Sequence, residues 1–143
     1  MGDESISIRK LEQADMADVI ELLQSMSEFR PPINDYPHIW ENLCRQTNVH
    51  SIVAIIDENI VGYGSVVFEI KIRGGKMGHI EDIVSHPNYR KKGIGKAILD
   101  ALFDVAKASG CHKVALQCQE HNVEFYKKCN YEISGVTMQR FMK

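Results

Sequence analysis

The sequence predicts an α/β protein with a mixed central sheet flanked by helices. Three observations carry that expectation. Ile94, Ile98, Leu102 and Val105 recur three to four residues apart, which is one apolar face of an amphipathic helix. Residues 51–56 and 60–68 are apolar and rich in β-branched side chains, and they flank Asp57-Glu58-Asn59 as the arms of a hairpin would. Residues 113–118 then read as a further strand, so a helix and a strand follow three antiparallel strands.

The remaining elements follow in chain order. Residues 5–9 alternate polar and apolar and predict a first strand. Asp15 is the expected N-cap of a helix that uses Val19, Ile20, Leu22, Leu23 and Met26. Residues 31–37 hold three prolines that break it, and a short helix around Trp40 and Leu43 follows. Gly74-Gly75 is a turn leading into a strand over 77–85, which ends at His86-Pro87-Asn88. Residues 122–131 form a short helix stopping near Asn130, and the apolar run 135–143 is expected to add a final strand, to its own sheet or to a partner's.

Composition bounds the function. The 143 residues suit one domain, 1–143, with one core. Hydrophobic residues at 44% and charged residues at 25% are those of an ordinary soluble globular protein. A formal net charge of −2 leaves no global basic field to recruit nucleic acid or an anionic membrane. No apolar run approaches the roughly 20 residues of a membrane span. The acidic start, residues 1–5, lacks the form of a signal peptide, so a cytoplasmic protein is expected. Cys44, Cys111, Cys118 and Cys129 show no C-x-x-C pairing and no zinc-ligand rhythm, so no metal is indicated. They are expected to be buried thiols acting as small apolar residues, Cys118 alone lying beside the candidate site.

The chemistry centres on the loop before the long helix. Arg90, Lys91, Lys92, Gly93, Ile94, Gly95 and Lys96 combine positive charge with a Gly-rich entry into a helix, where unpaired N–H groups meet the positive end of the macrodipole. That suits a phosphate or pyrophosphate; a tight turn with solvated lysines is the other reading. Just upstream, Glu81 and Asp82 are adjacent acids in a buried-looking strand, costly unless paired or used. In a regular strand they point to opposite faces, so both line one site only through a bulge or at a strand end. Asn122 and Tyr126 lie one turn apart on the last helix. Taken singly, Glu81 reads equally as a salt-bridged acid and Tyr126 as a core tyrosine.

Strand, Arg-x-x-Gly-x-Gly loop, helix, strand and Asn-x-x-x-Tyr helix together resemble the GNAT N-acetyltransferase superfamily, whose loop holds the pyrophosphate of acetyl-CoA. The runs Gly78-His79-Ile80-Glu81-Asp82-Ile83, Gly93-Ile94-Gly95-Lys96, Gly110-Cys111-His112-Lys113 and Asn122-Val123-Glu124-Phe125-Tyr126-Lys127-Lys128-Cys129 narrow the likeness to the glucosamine-6-phosphate N-acetyltransferase family. It is dense from Gly78 to Tyr131 and, before Ile70, little more than a shared order of elements.

The resemblance implies the GNAT acyl-CoA N-acyltransferase fold and transfer of acetyl from acetyl-CoA to the 2-amino group of glucosamine 6-phosphate, on the route to UDP-N-acetylglucosamine. It implies a cofactor site at Ile83, Val84, Ser85, the loop Arg90 to Lys96, Asn122 and Tyr126. Glu81 and Asp82 would take the substrate's proton or bind its ammonium and hydroxyls, and Tyr126 would protonate the departing thiolate. The sugar would meet Glu81, Asp82, His112, Lys113 and Gln117. Two departures stand out: an acid is expected where Gln117 stands, and Lys91-Lys92 replaces a glycine after Arg90. A phosphate dianion wants two or more cationic donors, for which Lys71, Arg73, His112, Lys113 and Arg140 are candidates. Lys71 and Arg73 alternate with Ile70 and Ile72, so a solvated strand face is their other reading. Arg30, before Pro31-Pro32, is a candidate to close over the substrate. The resemblance also implies a homodimer in which Arg140 reaches the other subunit's sugar phosphate. The competing readings are an acetyltransferase for another small amine or a protein lysine, and an acetyl-CoA sensor without turnover.

Overall fold

The β-branched runs of the sequence become strands that pair side by side in one sheet, seen in a computed structural model that describes residues 5–142. Met1 to Glu4 of the acidic start, and Lys143 at the end of the apolar C-terminal run, lie outside the described residues. The strands are β1 (Ser7–Lys10), β2 (Val49–Ile56), β3 (Asn59–Ile70), β4 (Lys76–Ser85) and β5 (Lys113–Leu116). They lie in sequence order, antiparallel except for the parallel pair β4–β5, which is the expected mixed sheet. The β2–β3 hairpin turns on Asp57 and Glu58, both at positive φ, as a two-residue turn with the twist of its strands requires.

The helices are α1 (Met16–Leu23), α2 (Tyr36–Arg45), α3 (Ile94–Ala108) and α4 (Val123–Lys128). On one face of the sheet, Leu11, Val19 and Leu22 cluster with Val53, Tyr63 and Val84, and Trp40 and Leu43 of α2 pack against them. On the other face the stripe Ile94, Ile98, Leu99 and Leu102 of α3 packs on Ile52, Ala54, Val66 and Ile80. Alternation along each strand therefore feeds two cores, which is why the strands read as nearly continuous apolar runs. Helix α3 lies so close to β3 that a Cβ on Gly64 would stand 2.7 Å from Ile98 Cγ2 and 2.6 Å from Ile83 Cδ1.

Several expectations are corrected. Asp15 immediately precedes α1 but does not cap it. Its buried carboxylate turns back to accept from Glu12 N–H (2.8 Å) and pairs with Arg9 (2.7 Å), so the helix start is tied to β1 instead. That bond to Arg9 holds the Asp15 carboxyl below the usual carboxylate range. Helix α1 ends at Leu23, and Met26 is exposed. The Ser25 hydroxyl donates to Leu22 O (3.0 Å) and the Ser27 hydroxyl accepts from Phe29 N–H (3.1 Å), local bonds that compete with continued helix. No strand is added to the chain's own sheet over the described part of 135–143. Gly135 sits at φ +78, which turns the chain out of extended geometry, and Val136, Met138, Phe141 and Met142 are exposed. Of the cysteines, Cys129 alone is buried, Cys111 and Cys118 are half-buried, and Cys44 is exposed. Among the described residues no helix is long and apolar enough to cross a membrane.

Gly64→Ala is expected to destabilise the fold by about 1–3 kcal/mol through overpacking against α3. The measurement is urea unfolding, read as a lower midpoint at unchanged slope. An unchanged midpoint would mean that α3 can back away from the sheet freely.

Candidate active site

The sheet opens at one point. The parallel ladder between β4 and β5 ends at Ile80–Leu116, while β4 runs on to Ser85 beside β3 alone. Residues 117–119 leave the sheet for a 3-10 turn (Glu120–Asn122) and α4, so the expected strand to Cys118 is two residues shorter. The orientation of the backbone along the open stretch follows from one bond. His86 N–H donates to Val61 O at 2.7 Å, toward β3. Alternate N–H groups of an extended chain point to opposite sides, so those of Ser85 and Ile83 point away from β3 into the opening. Backbone groups at such an edge need water or an extended ligand as partner.

At the mouth of the opening the β3–β4 register slips. Ser65 faces Glu81 and Tyr63 faces Val84, so Gly64 stands opposite two residues, Asp82 and Ile83. Asp82 is the extra one, at φ +56. Its left-handed backbone resets the alternation: Ile83 turns to the α3 side, and Val84 joins the α1 cluster that holds Tyr63. A bulge, one of the two ways adjacent acids of a strand can share a face, is therefore present at Asp82, and both acids are solvent-exposed. Tyr63 registers the neighbour: burial raises its phenol, the Ser51 and Ser65 hydroxyls offset part of that, and the Asp82 charge raises it further.

Beyond β4 the chain makes a 3-10 turn (Pro87–Tyr89), with the His86 ring accepting from Asn88 N–H at 3.1 Å. The Arg90–Lys96 loop then enters α3 with Lys91 at φ +68 and Gly93 at φ +79, and no side chain caps the helix at Gly93. The two glycines serve different needs. Gly93 takes a left-handed backbone, whereas a Cβ on Gly95 would lie 3.1 Å from Phe125 Cζ, so α4 rests its ring on the first turn of α3. Arg90, Lys91 and Lys92 are exposed, while Lys96 pairs with Asp100 at 2.5 Å.

Helix α4 brings Tyr126 against the same core. Its ring meets Phe125 and Tyr131 edge-on at 5.1 and 6.1 Å. Burial raises the Tyr126 phenol, and nearby Cys118 and Cys129 add to the shift. Asn122 precedes α4 with its amide free of any capping bond and exposed. Burial also raises the Cys129 thiol, as expected of an inert one. The Tyr131 hydroxyl is buried without a hydrogen-bond partner, and burial pushes it to about 12.

Four of the five candidate phosphate ligands lie around the β3–β4 turn. Lys71 and Arg73 sit on the β3–β4 turn, His112 lies against Gly75 of that turn (3.2 Å from its Cβ position), and Lys113 pairs with Met77. Lys113 is four residues along the ladder from the acids, about 13 Å by strand rise. Gln117 follows Leu116 directly and so stands beside the opening. Arg140 is exposed on the irregular C-terminal segment. Arg30 is held by Glu21 of α1 at 3.0 Å rather than directed at the acids. A cavity of about 210 Å³ between α3 and β5 touches His112 but none of the acids.

Three residues near the acids were not singled out from sequence. His79 shares the Glu81 face two residues away, with Glu69 at 2.8 Å, and Glu69 also binds Lys71 at 3.1 Å. Ser65 and Tyr63 lie beneath the bulge. The available signal was the period of two, which puts His79 and Glu81 on one face.

Residues 16–131 match the family model described as Acetyltransferase (GNAT) family. The chain belongs to the GNAT acetyltransferase family. Glucosamine 6-phosphate N-acetyltransferase 1 of Dictyostelium discoideum is 35% identical over 146 aligned positions, covering 98% of this chain and 93% of that protein. The Arabidopsis thaliana glucosamine 6-phosphate N-acetyltransferase is 34% identical, covering 96% of this chain and 97% of its own. The crystal structure of the Arabidopsis glucosamine-6-phosphate N-acetyltransferase matches this GNAT fold with a TM-score of 0.90 at 31% identity, over 98% of this chain and 100% of that one.

In this GNAT chain the phenols of Tyr63, Tyr126 and Tyr131 are all raised by burial above the usual tyrosine value of about 10. Their stabilising contribution is complete below that value and is lost as pH rises through the folded values. Alkaline absorbance titration is expected to show late ionisation, with Tyr131→Phe removing a component at about 12. Completion of the titration near the usual value, in protein still folded, would overturn the burial argument.

Proposed function

We propose that the protein is a glucosamine 6-phosphate N-acetyltransferase. It transfers acetyl from acetyl-CoA to the 2-amino group, giving N-acetylglucosamine 6-phosphate and CoA. The observation that carries this reading is the opening between β4 and β5, with the bulged Glu81–Asp82 pair at its mouth. An extended pantetheine arm suits the Ile83 and Ser85 N–H groups, and the Arg90–Lys96 loop suits the pyrophosphate. Likeness to named glucosamine 6-phosphate N-acetyltransferases over nearly the whole chain supports the substrate.

The reaction breaks the thioester C–S bond and forms a C–N bond. The substrate's ammonium first loses a proton to Glu81 or Asp82, directly or through water, because only the neutral amine has the lone pair to attack. The oxyanion forms beside the open β4 edge, where a backbone N–H can donate to it. The departing thiolate meets the Tyr126 phenol, which burial keeps protonated at neutral pH. His79, Lys71, His112 and Lys113 line the direction in which the sugar would extend toward its phosphate, with Asn122 for the cofactor's amides. The single catalytic domain acts in the cytoplasm as a homodimer. Exposed Ile133, Val136, Met138 and Phe141 supply apolar surface for the partner, and Arg140 reaches the other subunit's sugar phosphate.

The first experiment is thiol release from acetyl-CoA with glucosamine 6-phosphate, beside unphosphorylated glucosamine, spermidine and a lysine peptide. Activity confined to the phosphorylated sugar is expected. Preference for another amine would discard the substrate and keep the chemistry, and no release despite acetyl-CoA binding would favour a sensor. Tyr126→Phe should lower turnover about 10²-fold with little change in acetyl-CoA affinity. Glu81→Gln and Asp82→Asn should each impair acetylation; if neither does, the pair is structural. Sedimentation at assay concentration should give a dimer mass, and a fully active monomer would remove the shared site.

A further inference from the structure

The sheet face under α1 is an apolar cluster, yet three hydroxyls are buried in it. Ser51 and Ser65 are 6% exposed and Tyr63 is 8% exposed. They form a row that crosses the strands: Ser51 stands directly opposite Ser65 on β2–β3, and Ser65 directly opposite Glu81 on β3–β4. The Tyr63 hydroxyl donates to Ser51 Oγ at 3.4 Å, and the Ser65 hydroxyl donates to the Glu81 carbonyl at 3.4 Å. Packing alone would favour Val or Ala at such positions, since a buried hydroxyl is unfavourable unless its bonds are made.

The row ends at an informative atom. The Glu81 carbonyl and the Asp82 N–H belong to one rigid peptide plane. The tilt of that plane sets φ of Asp82, the left-handed residue of the bulge. Gly64, opposite the bulge, has no side chain with which to hold it. Ser65 is the neighbouring residue whose side chain bonds that plane.

We propose that Ser65, backed by Tyr63 and Ser51, is a positioning residue that pins the Glu81 carbonyl and so keeps the bulge in the form that presents both carboxylates to the acceptor amine. This rests on the acetyltransferase reading only for its effect on rate; the backbone effect stands by itself. Without the hydroxyl, the Glu81 carbonyl keeps only the backbone pairing that the Ser65 register supplies, so the plane rotates more readily and Asp82 relaxes more often toward negative φ, turning the two acids apart. The cofactor loop lies outside this row and keeps its geometry.

The test compares Ser65→Ala, Ser65→Thr and Tyr63→Phe with the native protein. Two readouts are used: amide hydrogen exchange at Glu81 and Val84, whose N–H groups face β3 on either side of the bulge, and steady-state kinetics with glucosamine 6-phosphate. Ser65→Ala is expected to speed exchange at those two amides and lower kcat by about ten- to a hundredfold. KM for acetyl-CoA should stay within twofold, and Ser65→Thr, which keeps the hydroxyl, should restore both readouts. Tyr63→Phe should give a smaller change in the same direction with the ring still packed. Native kcat and native exchange in Ser65→Ala would overturn the proposal. So would a parallel loss of acetyl-CoA affinity and melting temperature, the mark of a merely structural role. If the native protein does not acetylate the sugar, the substrate reading falls, and the exchange readout still decides the pin.

Discussion

The parting of β4 from β5 after Ile80 and Leu116 is the constraint on which the rest of the molecule depends. Up to that pair the two strands satisfy each other; beyond it, β4 continues for five residues paired with β3 alone, and the backbone groups of its other side face no strand. In the interior of a sheet such groups are among the least tolerable features a fold can carry. The neighbouring elements keep the gap open. The chain after β5 is committed to α4, and α4 is held away from β4 by resting Phe125 on Gly95 and tucking Tyr126 and Tyr131 against the α3 core. A side chain larger than hydrogen at position 95 would push against this arrangement, so the second loop glycine matters through packing as much as through access to phosphate.

The same opening explains why acids are tolerated on β4. Glu81 and Asp82 stand where the strand loses its neighbour and reaches solvent, so their charges escape the desolvation that a central strand would impose. The bulge at Asp82 interrupts the strict alternation that would send the pair to opposite faces of the sheet. Farther along the strand, His79, Glu69 and Lys71 form a partly exposed chain of polar contacts at 2.8 and 3.1 Å, with Glu69 held below the usual carboxylate range by His79 and then Lys71. Exposed pairs of this kind contribute little to stability. Their value lies in holding a pattern of charge along the face on which a polar acceptor would rest.

Much of this was legible in the sequence for particular reasons. The α3 stripe is long and strictly periodic, the β2–β3 runs are bounded by a turn, and the adjacent Glu81 and Asp82 can share one face only through a bulge or at a strand end. The illegible parts are those decided by long-range partners or by local competition. Nothing in residues 113–118 reveals that pairing stops at Leu116, because that depends on where α4 docks. The serines after Leu23 end α1 through bonds of their own, which periodicity does not register. Asp15 has the chemistry of a cap and is drawn instead to Arg9, six residues earlier. The hydroxyl row of Ser51, Tyr63 and Ser65 became visible only once strand register aligned three separate positions.

Magnitudes also constrain the role of Tyr126 in the proposed reaction. Burial raises its phenol above the usual value of about 10, whereas an ordinary thiol ionises near 8.5. Complete proton transfer from this phenol to a departing thiolate is therefore uphill by at least ~2 kcal/mol, taking 1.36 kcal/mol per pKa unit. The phenol is better suited to donating a hydrogen bond to sulfur as negative charge develops, keeping its own proton. The proton that finally neutralises the thiolate is then the one released by the amine, which leaves through the acids or through water. On this account burial favours catalysis by keeping the donor loaded and the sulfur away from competing water, and the carboxylates and the phenol need no direct connection.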